Sequence, residues 1–213
     1  MINQPDFAQD PAELFDVVNE DGSPTGIVKR RADVHRDGDW HRAVHIWVYG
    51  VDNDGPYLLF NLRSRLKDTY PLCLDVTVGG HLGAGETVED AFREVHEEIG
   101  IEAQPDLLEA HGTRKAIGDV ERELQDVFLY REDRPLAEYR PNPAELEGLV
   151  KMRLVDALAM YSEAVSQVEA VVLRAERGQI EPFTVTQASL TPSRHFGYYL
   201  EIAQVIDATL RAR

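Results

Sequence analysis

Short apolar runs separated by turn-forming residues dominate the first part of the chain. Two such runs flank the Asp-Gly pair at 21–22 within segment 14–30, and two longer ones flank the Asn-Asp-Gly sequence at 53–55 within segment 41–65. Each arrangement predicts a β-hairpin, because these sequences favour the backbone angles of tight turns. The polar segment 31–42 predicts a loop with a short helical piece.

After Thr87 the pattern changes to that of a helix. Thr87 and Asp90 have the spacing of a capping box, and apolar residues recur at every fourth position thereafter, at 91, 95 and 99. Gly100 then supplies the residue that commonly comes just after a helix end. We therefore expect one helix between Thr87 and Gly100.

The remaining apolar runs predict strands and helices that together define a fold class. Strands are predicted at 74–78, 108–117, 124–131 and 149–154, and amphipathic helices at 155–178 and 193–213. Strands, one central helix, more strands and terminal helices indicate a mixed α/β or α+β domain rather than a doubly wound parallel sheet. We expect one domain over 1–213, with an N-terminal hairpin extension (1–35), a core (36–155) and C-terminal helices (156–213).

The composition limits the classes of partner. The chain has 213 residues and a net charge of −16, from 38 acids and 22 bases, which disfavours nucleic acids and anionic membranes. No apolar run approaches the roughly 18 residues of a membrane span, the N-terminus lacks a signal-peptide pattern, and Cys73 is the single cysteine. We therefore expect a cytoplasmic protein acting on a small molecule. The hairpin and terminal helices offer surface for a homodimer.

Three carboxylates crowd one face of the predicted central helix. Glu94, Glu97 and Glu98 stand at positions i, i+3 and i+4, where like charges cost roughly 0.2–0.5 kcal/mol per pair. Arg93 offsets part of this by pairing with Glu97. The remaining crowding is explained by a hard divalent cation, Mg²⁺ or Mn²⁺, which prefers carboxylate oxygens. A solvated acidic face is the alternative explanation.

Segment 79–101 resembles the Nudix box, the signature of the Nudix hydrolase superfamily. That box runs Gly, five residues, Glu, seven residues, then Arg-Glu-apolar-x-Glu-Glu-x-Gly-apolar. Its fixed positions are matched by Gly80, Glu86, Arg93, Glu94, Val95, Glu97, Glu98, Gly100 and Ile101. One departure is that only six residues separate Glu86 from Arg93, which puts the role of Glu86 in question more than the acidic triad.

The resemblance implies an α/β/α sandwich on a mixed sheet and hydrolysis of a diphosphate linked to another group. Glu94, Glu97 and Glu98 would bind Mg²⁺ or Mn²⁺, to which Gly80 would add its backbone carbonyl. Arg93 and Glu86 would brace the loop against the helix. Either Glu94 or Glu123 would act as the catalytic base.

A looser resemblance, over segments 35–49, 58–71, 76–82 and 120–130, points to the Nudix branch that contains type 1 isopentenyl-diphosphate isomerase. That enzyme holds a divalent metal with three histidines and two glutamates, for which the corresponding residues are His35, His41, His81, Glu121 and Glu123. Its catalytic cysteine corresponds to Gly79, which has no proton to donate. We therefore expect a hydrolase, with an isomerase and a non-catalytic Nudix sensor as alternatives.

The remaining candidates are basic residues near the end of a predicted strand and isolated histidines. Arg63, Arg65 and Lys67 form a basic group that we expect to contact the substrate phosphates, Arg63 above all, because guanidinium binds phosphate bidentately. His45 is expected to be a structural strand residue, and His96 to lie on the surface. The group attached to the diphosphate cannot be read from these motifs.

Overall fold

The computed structural model describes residues 12–67, 69–118, 122–192 and 195–212. The strands are β1 (Leu14–Val18), β2 (Pro24–Arg30), β3 (Trp40–Asp52), β4 (Gly55–Arg63), β5 (Leu74–Asp75), β6 (Val78–His81), β7 (Leu108–Ile117), β8 (Arg122–Arg131), β9 (Leu146–Arg153), β10 (Gln167–Arg174) and β11 (Ile180–Thr186). The α-helices are α1 (Arg31–Asp37), α2 (Val88–Ala91), α3 (Arg93–Ile99), α4 (Leu154–Tyr161) and α5 (Phe196–Arg211). Single 3₁₀ turns lie at Pro105–Leu107, Leu136–Glu138 and Gln187–Ser189.

A mixed sheet forms the centre of the protein. Its main path runs β11-β10-β9-β4-β3-β8-β7, while β5 pairs with β4 and β6 pairs with β3. Only the β3–β8 pair is parallel among these described strands, and the others are antiparallel. Strands β1 and β2 form the predicted N-terminal hairpin as a separate two-stranded sheet.

Helices cover both faces of the sheet, as the predicted α/β/α sandwich requires. Val44, Ile46 and Val48 of β3 are buried in one core cluster with α2 and α3, which we call the α3 face. The intervening Trp47 and Tyr49 are buried in the other cluster with α4 and α5, the α5 face. Successive strand residues point to opposite faces, so β3 contributes to both cores.

The predicted strand at 74–78 is divided in two. Leu74–Asp75 pairs with β4, whereas Val78–His81 pairs with β3, because these two long strands pair with each other only near their hairpin turn. Thr77 lies between the pieces and is fully buried. Its hydroxyl accepts a hydrogen bond from the amide of Val48 and donates one to the carbonyl of Leu59, so the break leaves these backbone groups satisfied.

The predicted helix over 155–178 is wrong beyond its first two turns. Helix α4 ends at Tyr161, and Gln167–Arg174 forms strand β10, followed by the unpredicted strand β11 at Ile180–Thr186. The described part of the C-terminal region is therefore a helix (α4), a hairpin (β10 and β11) and a helix (α5). Valine-rich β10 pairs with both β9 and β11, and the burial of Val172 against that sheet outweighs the helical period of the local sequence.

The central helix is capped as predicted but is broken near its middle. Thr87 and Asp90 form the reciprocal hydrogen bonds of a capping box, and Gly100 ends α3 in the left-handed conformation. Phe92 separates α2 from α3. The six residues that replace the usual seven of the Nudix box therefore include this break.

The N-terminal hairpin packs against the core through Phe15. Its ring is fully buried, with centroids 5.3 Å from His41 and 5.0 Å from His81. The hairpin therefore forms one wall of a histidine cluster and is more than an appended extension. In the described ranges, helices are too short or too polar to cross a membrane.

Substituting Gly100 by alanine should destabilise the protein more than the same change at Gly38. Both glycines end helices at φ near +70°, a conformation that costs an alanine roughly 1 kcal/mol. A Cβ at Gly100 would also lie 2.4 Å from Arg140 Cβ, whereas at Gly38 it meets nothing within 4 Å. We expect G100A to lower the free energy of unfolding by about 1–3 kcal/mol more than G38A in urea titrations. Equal losses would contradict this packing.

Candidate active site

A cleft of about 460 Å³ opens beside β6, and its walls come from both faces of the sheet. Glu94 and Glu98 enter it from the α3 face. His45, His81 and Glu123 enter it from the face on which α5 packs. The glycine pair at 79–80 lies between these two groups, so the backbone of β6 is accessible from the cleft.

The acidic residues of α3 have unequal environments. Glu98 is 6% exposed and accepts a weak hydrogen bond from Asn61 Nδ2 at 3.5 Å. Burial raises the pKa of Glu98 well above its usual value, only partly opposed by Lys67. Burial and the neighbouring charge of Glu97 raise the pKa of Glu94 to about 7. Glu97 itself is about half exposed, with its carboxylate 3.6 Å from Arg93 Nε.

The buried carboxyl of Glu98 and the partly buried carboxyl of Glu94 line one cleft and are poorly stabilised as anions by the protein alone. A cation placed in that cleft would lower both pKa values and stabilise the charged forms. Gly80 leaves room for this arrangement, because a Cβ there would lie 3.2 Å from Glu94 Cγ.

Glu86 and Arg93 are brought together despite the shortened spacing between them. Arg93 Nη2 lies 2.8 Å from Glu86 Oε1, and the other oxygen of Glu86 accepts a hydrogen bond from the Gly83 amide at 2.7 Å. This pair links the glycine-rich loop to the start of α3. It therefore fixes the loop relative to the helix that carries the acidic residues.

Three histidines gather behind the cleft on the α5 face. One ligand atom from each of His35, His41 and His81 lies within 4.8 Å of the others. His41 donates from Nδ1 to the Asp39 carbonyl at 3.1 Å, so its buried Nε2 carries a lone pair that has no hydrogen-bond partner. His35 Nε2 is likewise buried without a partner. Unpaired imidazole nitrogens at this spacing are suited to a transition-metal cation.

Glu123 completes this group because β3 and β8 pair in parallel with His41 opposite Glu123. Its Oε1 lies 3.1 Å from His81 Nε2 and 3.8 Å from His41 Nε2. Burial alone would raise the pKa of Glu123, but the hydrogen bonds from His81 and Gln125 lower it. Burial lowers the pKa of His81 to about 4, so that ring is neutral at pH 7. Glu121 lies outside the described residues.

The basic residues predicted from the sequence separate into two groups. Arg63 and Lys67 line the cleft, where Arg63 Nη1 donates to Asp75 at 2.6 Å and Lys67 Nζ to Glu145 at 2.9 Å. Arg65 lies on the surface, where Nε and Nη2 form a bidentate pair with Glu147 at 2.7 and 2.9 Å. Arg65 lies in the turn after β4 and does not line the cleft, so we do not retain it as a substrate ligand.

Several cleft residues carry no recognisable sequence signal. Arg31, Arg114, His45 and Tyr198 all line the cleft, although they are distant in the sequence from the Nudix box. The expectation that His45 is purely structural is incomplete. Its Nδ1 lies 3.1 Å from Tyr198 OH. Side chains alternate along β3, so His45 projects from the same face as His41 and reaches the cleft. The even spacing between His41 and His45 on one predicted strand is the sequence signal that could have placed His45 in the cleft.

The described geometry agrees with similarity to known proteins. A family model described as the NUDIX domain matches residues 39–175. The chain belongs to the Nudix family. It is 36% identical over 153 residues to an uncharacterised Nudix hydrolase of Clostridium acetobutylicum, covering 70% of this chain and 73% of that protein.

Two further Nudix relatives extend the similarity. An isopentenyl-diphosphate delta-isomerase of Nocardia farcinica is 30% identical over 179 residues, covering 78% of this chain and 97% of that protein. A crystal structure of a Deinococcus radiodurans protein is 26% identical with a TM-score of 0.53, covering 71% of this chain and 90% of that one. Nudix hydrolases generally use divalent metal ions.

Metal-free protein should lose stability relative to its Glu94→Gln variant as the pH rises from 4.5 to about 7. The pKa of Glu94 rises from 4.5 to about 7 on folding, so the folded state keeps a proton that the unfolded state releases in this window. The free energy of unfolding therefore falls with rising pH, and the variant lacks this contribution. Urea titrations in EDTA across this range would measure the difference.

Glu102→Gln provides the control for that series, because Glu102 is 85% exposed beyond the end of α3. The difference in the free energy of unfolding between E102Q and the wild type should not show the pH dependence expected for E94Q. A difference between wild type and E94Q that is constant from pH 4.5 to 7 would contradict the raised pKa of Glu94.

Proposed function

We propose that this protein is a metal-dependent hydrolase that cleaves a diphosphate linkage in a nucleoside-diphosphate or other organic diphosphate. The observation that carries the proposal is the pair of cleft-lining carboxyls of Glu94, which is partly buried, and Glu98, which is buried. Their raised pKa values indicate that a cation is needed to stabilise their charged forms. Beside them, Arg63 and Lys67 line the same cleft and would bind the substrate phosphates.

The donor sets fit divalent cations at two places. Glu94, Glu97 and Glu98, with the carbonyl of Gly80, would hold Mg²⁺ or Mn²⁺ together with the diphosphate. The second set is His35, His41, His81 and Glu123, where the unpaired ring nitrogens support the assignment. A bound divalent cation supplies Lewis acidity toward phosphate oxygens and lowers the pKa of a bound water.

Among the protein groups, Glu94 is the better candidate for the catalytic base. Its carboxylate lines the cleft and lies 3.6 Å from Arg93 Nη2, so it has room to accept a proton from a water molecule there. Both oxygens of Glu123 already accept hydrogen bonds, from His81 at 3.1 Å and Gln125 at 2.7 Å, and its pKa is lowered. Glu123 is therefore a weak base and fits the role of a ligand. Arg93 and Glu86 act by positioning the loop that follows β6, which Glu86 holds through the Gly83 amide.

Isomerisation of isopentenyl diphosphate is the second candidate. The histidine cluster with Glu123 and the similarity to the Nocardia isomerase favour it. Gly79 opposes it, since this position offers no side chain for proton transfer at carbon. A Cβ there would lie 2.9 Å from Val76 Cγ1, so the local packing also disfavours a larger residue. Hydrolysis requires no group at Gly79.

Hydrolysis is tested by ³¹P NMR with Mg²⁺ or Mn²⁺ and a panel of nucleotide sugars, dinucleotides, nucleoside triphosphates and isopentenyl diphosphate. We expect cleavage of at least one diphosphate, and a decrease of about 100-fold or more in Glu98→Gln, because that change removes a buried metal-binding oxygen. Glu102→Gln is the matched control and should retain activity. Conversion of isopentenyl diphosphate to its allylic isomer, without cleavage of any compound, would replace this proposal with the isomerase.

Arg63→Gln and Arg65→Gln should differ sharply in kinetics. Arg63 lines the cleft, so its loss should reduce kcat/KM by about 10- to 100-fold. Arg65 is paired with Glu147 on the surface, so its loss should change kcat/KM by less than about 2-fold. Steady-state kinetics with the cleaved diphosphate give both values, and thermal unfolding checks that each variant is folded. Equal losses of kcat/KM would mean that both arginines affect activity by holding their loop in place, and that Arg63 does not contact the substrate phosphates.

A further inference from the structure

Four basic side chains line the cleft, and three of them face carboxylates. Arg31 Nη1 lies 3.4 Å from Glu13 Oε2, while Arg63 and Lys67 are paired with Asp75 and Glu145. Arg114 of β7 is different. Within the described residues it forms no ion pair, and its one hydrogen bond is from Nη1 to the neutral amide oxygen of Gln125, at 2.6 Å.

Neutral groups hold Arg114 in place from two sides. The amide of Gln125 is fixed in orientation because its Nε2 donates to Glu123 Oε2 at 2.7 Å, which turns its oxygen toward Arg114. On the other side, the guanidinium carbon lies 4.2 Å from the centroid of the Tyr198 ring. These contacts position the guanidinium without neutralising its charge.

The Tyr198 ring is itself fixed. Its hydroxyl accepts a hydrogen bond from Trp47 Nε1 at 2.9 Å and lies 3.1 Å from His45 Nδ1. Because an indole N–H can only donate, the tyrosine proton is available to His45. Arg114 therefore rests on a rigid platform, and the donors that do not contact Gln125 remain for a ligand in the cleft.

Arg114 lies on a different side of the sheet from the Nudix-box acids. It pairs with Gln125, which pairs with Ala43, so all three residues project on the α5 face. Glu94 lies against Gly80, which is opposite Val44 of the α3 face. An anion bound by Arg114 is therefore separate from a phosphate that shares a cation with Glu94.

We propose that Arg114 binds a second anionic group of the substrate, a phosphate or a carboxylate that lies outside the diphosphate being hydrolysed. This inference rests on the proposed function and narrows its substrate class. In a protein of net charge −16, a positioned guanidinium without a carboxylate partner is a selective site for such a group. The planar fork accommodates either oxyanion bidentately.

The test compares diphosphates that differ by one anionic group. Suitable pairs are NADP⁺ and NAD⁺, coenzyme A and its dephospho form, and UDP-glucuronate and UDP-glucose. With Mg²⁺ present, kcat/KM is measured for compounds that are cleaved, and Kd by calorimetry for those that are not. We expect wild-type protein to favour the anionic member of at least one pair by about 10- to 100-fold. Arg114→Gln should remove this preference, and Arg114→Lys should keep part of it.

Lys115→Gln is the matched control. It removes one positive charge from the same strand, but Lys115 points to the opposite face, where it pairs with Glu20 at 3.0 Å. This variant should retain the wild-type preference. A purely structural role for Arg114 would weaken both members of each pair equally, and that result would overturn the inference. So would the absence of any preference in wild-type protein.

The outcomes separate this inference from the proposed function. Hydrolysis without a preference for the added anion would leave the proposed function standing and refute the role of Arg114. Anion-dependent binding that is lost in R114Q, without cleavage of any compound, would support the anion site and refute the hydrolase. Phosphate-bearing and carboxylate-bearing pairs distinguish which oxyanion the site accepts.

Discussion

The register of the parallel pair β3–β8 determines which side chains meet in the cleft. It sets His41 opposite Glu123 and Ala43 opposite Gln125, so that the small alanine leaves space beside the glutamine. A shift of one residue would move every one of these side chains to the other face of the sheet. The histidine cluster and the support of Arg114 both depend on this register, because Glu123 and Gln125 belong to the same strand face.

The acidic and basic side chains of the cleft differ in how far nearby opposite charges neutralise them. Glu94 and Glu98 of α3 line the cleft with too few cations beside them, whereas most of the basic residues already face carboxylates. Arg63, for example, is held by Asp75, whose other oxygen accepts a hydrogen bond from Tyr199 at 2.6 Å. Burial would raise the pKa of Asp75, but Arg63 and Tyr199 lower it, so this pair is charged and fixed. The carboxyls that still lack a stabilising cation are therefore those of Glu94 and Glu98.

Local patterns predicted those parts of the structure that local forces control. The capping box at Thr87, the stop at Gly100 and both hairpins result from hydrogen bonds and backbone angles within a few residues. The helix predicted in place of strand β10 is wrong, because its sequence fits a helical period and only pairing with β9 and β11 decides the outcome.

The candidate site likewise has a part that local sequence patterns predict and a part that depends on long-range packing. The acids of α3 could be placed together from spacing alone, since they lie on one short helix. Arg114 could not, because its position depends on two strand registers and on a helix more than 80 residues away that supplies Tyr198. Arg65 shows the converse limit: its charge suggested a ligand, but the turn after β4 places it on the surface, where it pairs with Glu147.

The shortened Nudix box shows which part of the motif tolerates a change in length. Removing one residue from a continuous helix would rotate the downstream residues by ~100° relative to the upstream ones. Here the chain is not one continuous helix, because Phe92 separates α2 from α3. Arg93 still reaches Glu86 at 2.8 Å, so the loop and helix α3 remain joined. The rigid unit is therefore α3 with its acids, and the preceding turn absorbs the change in length.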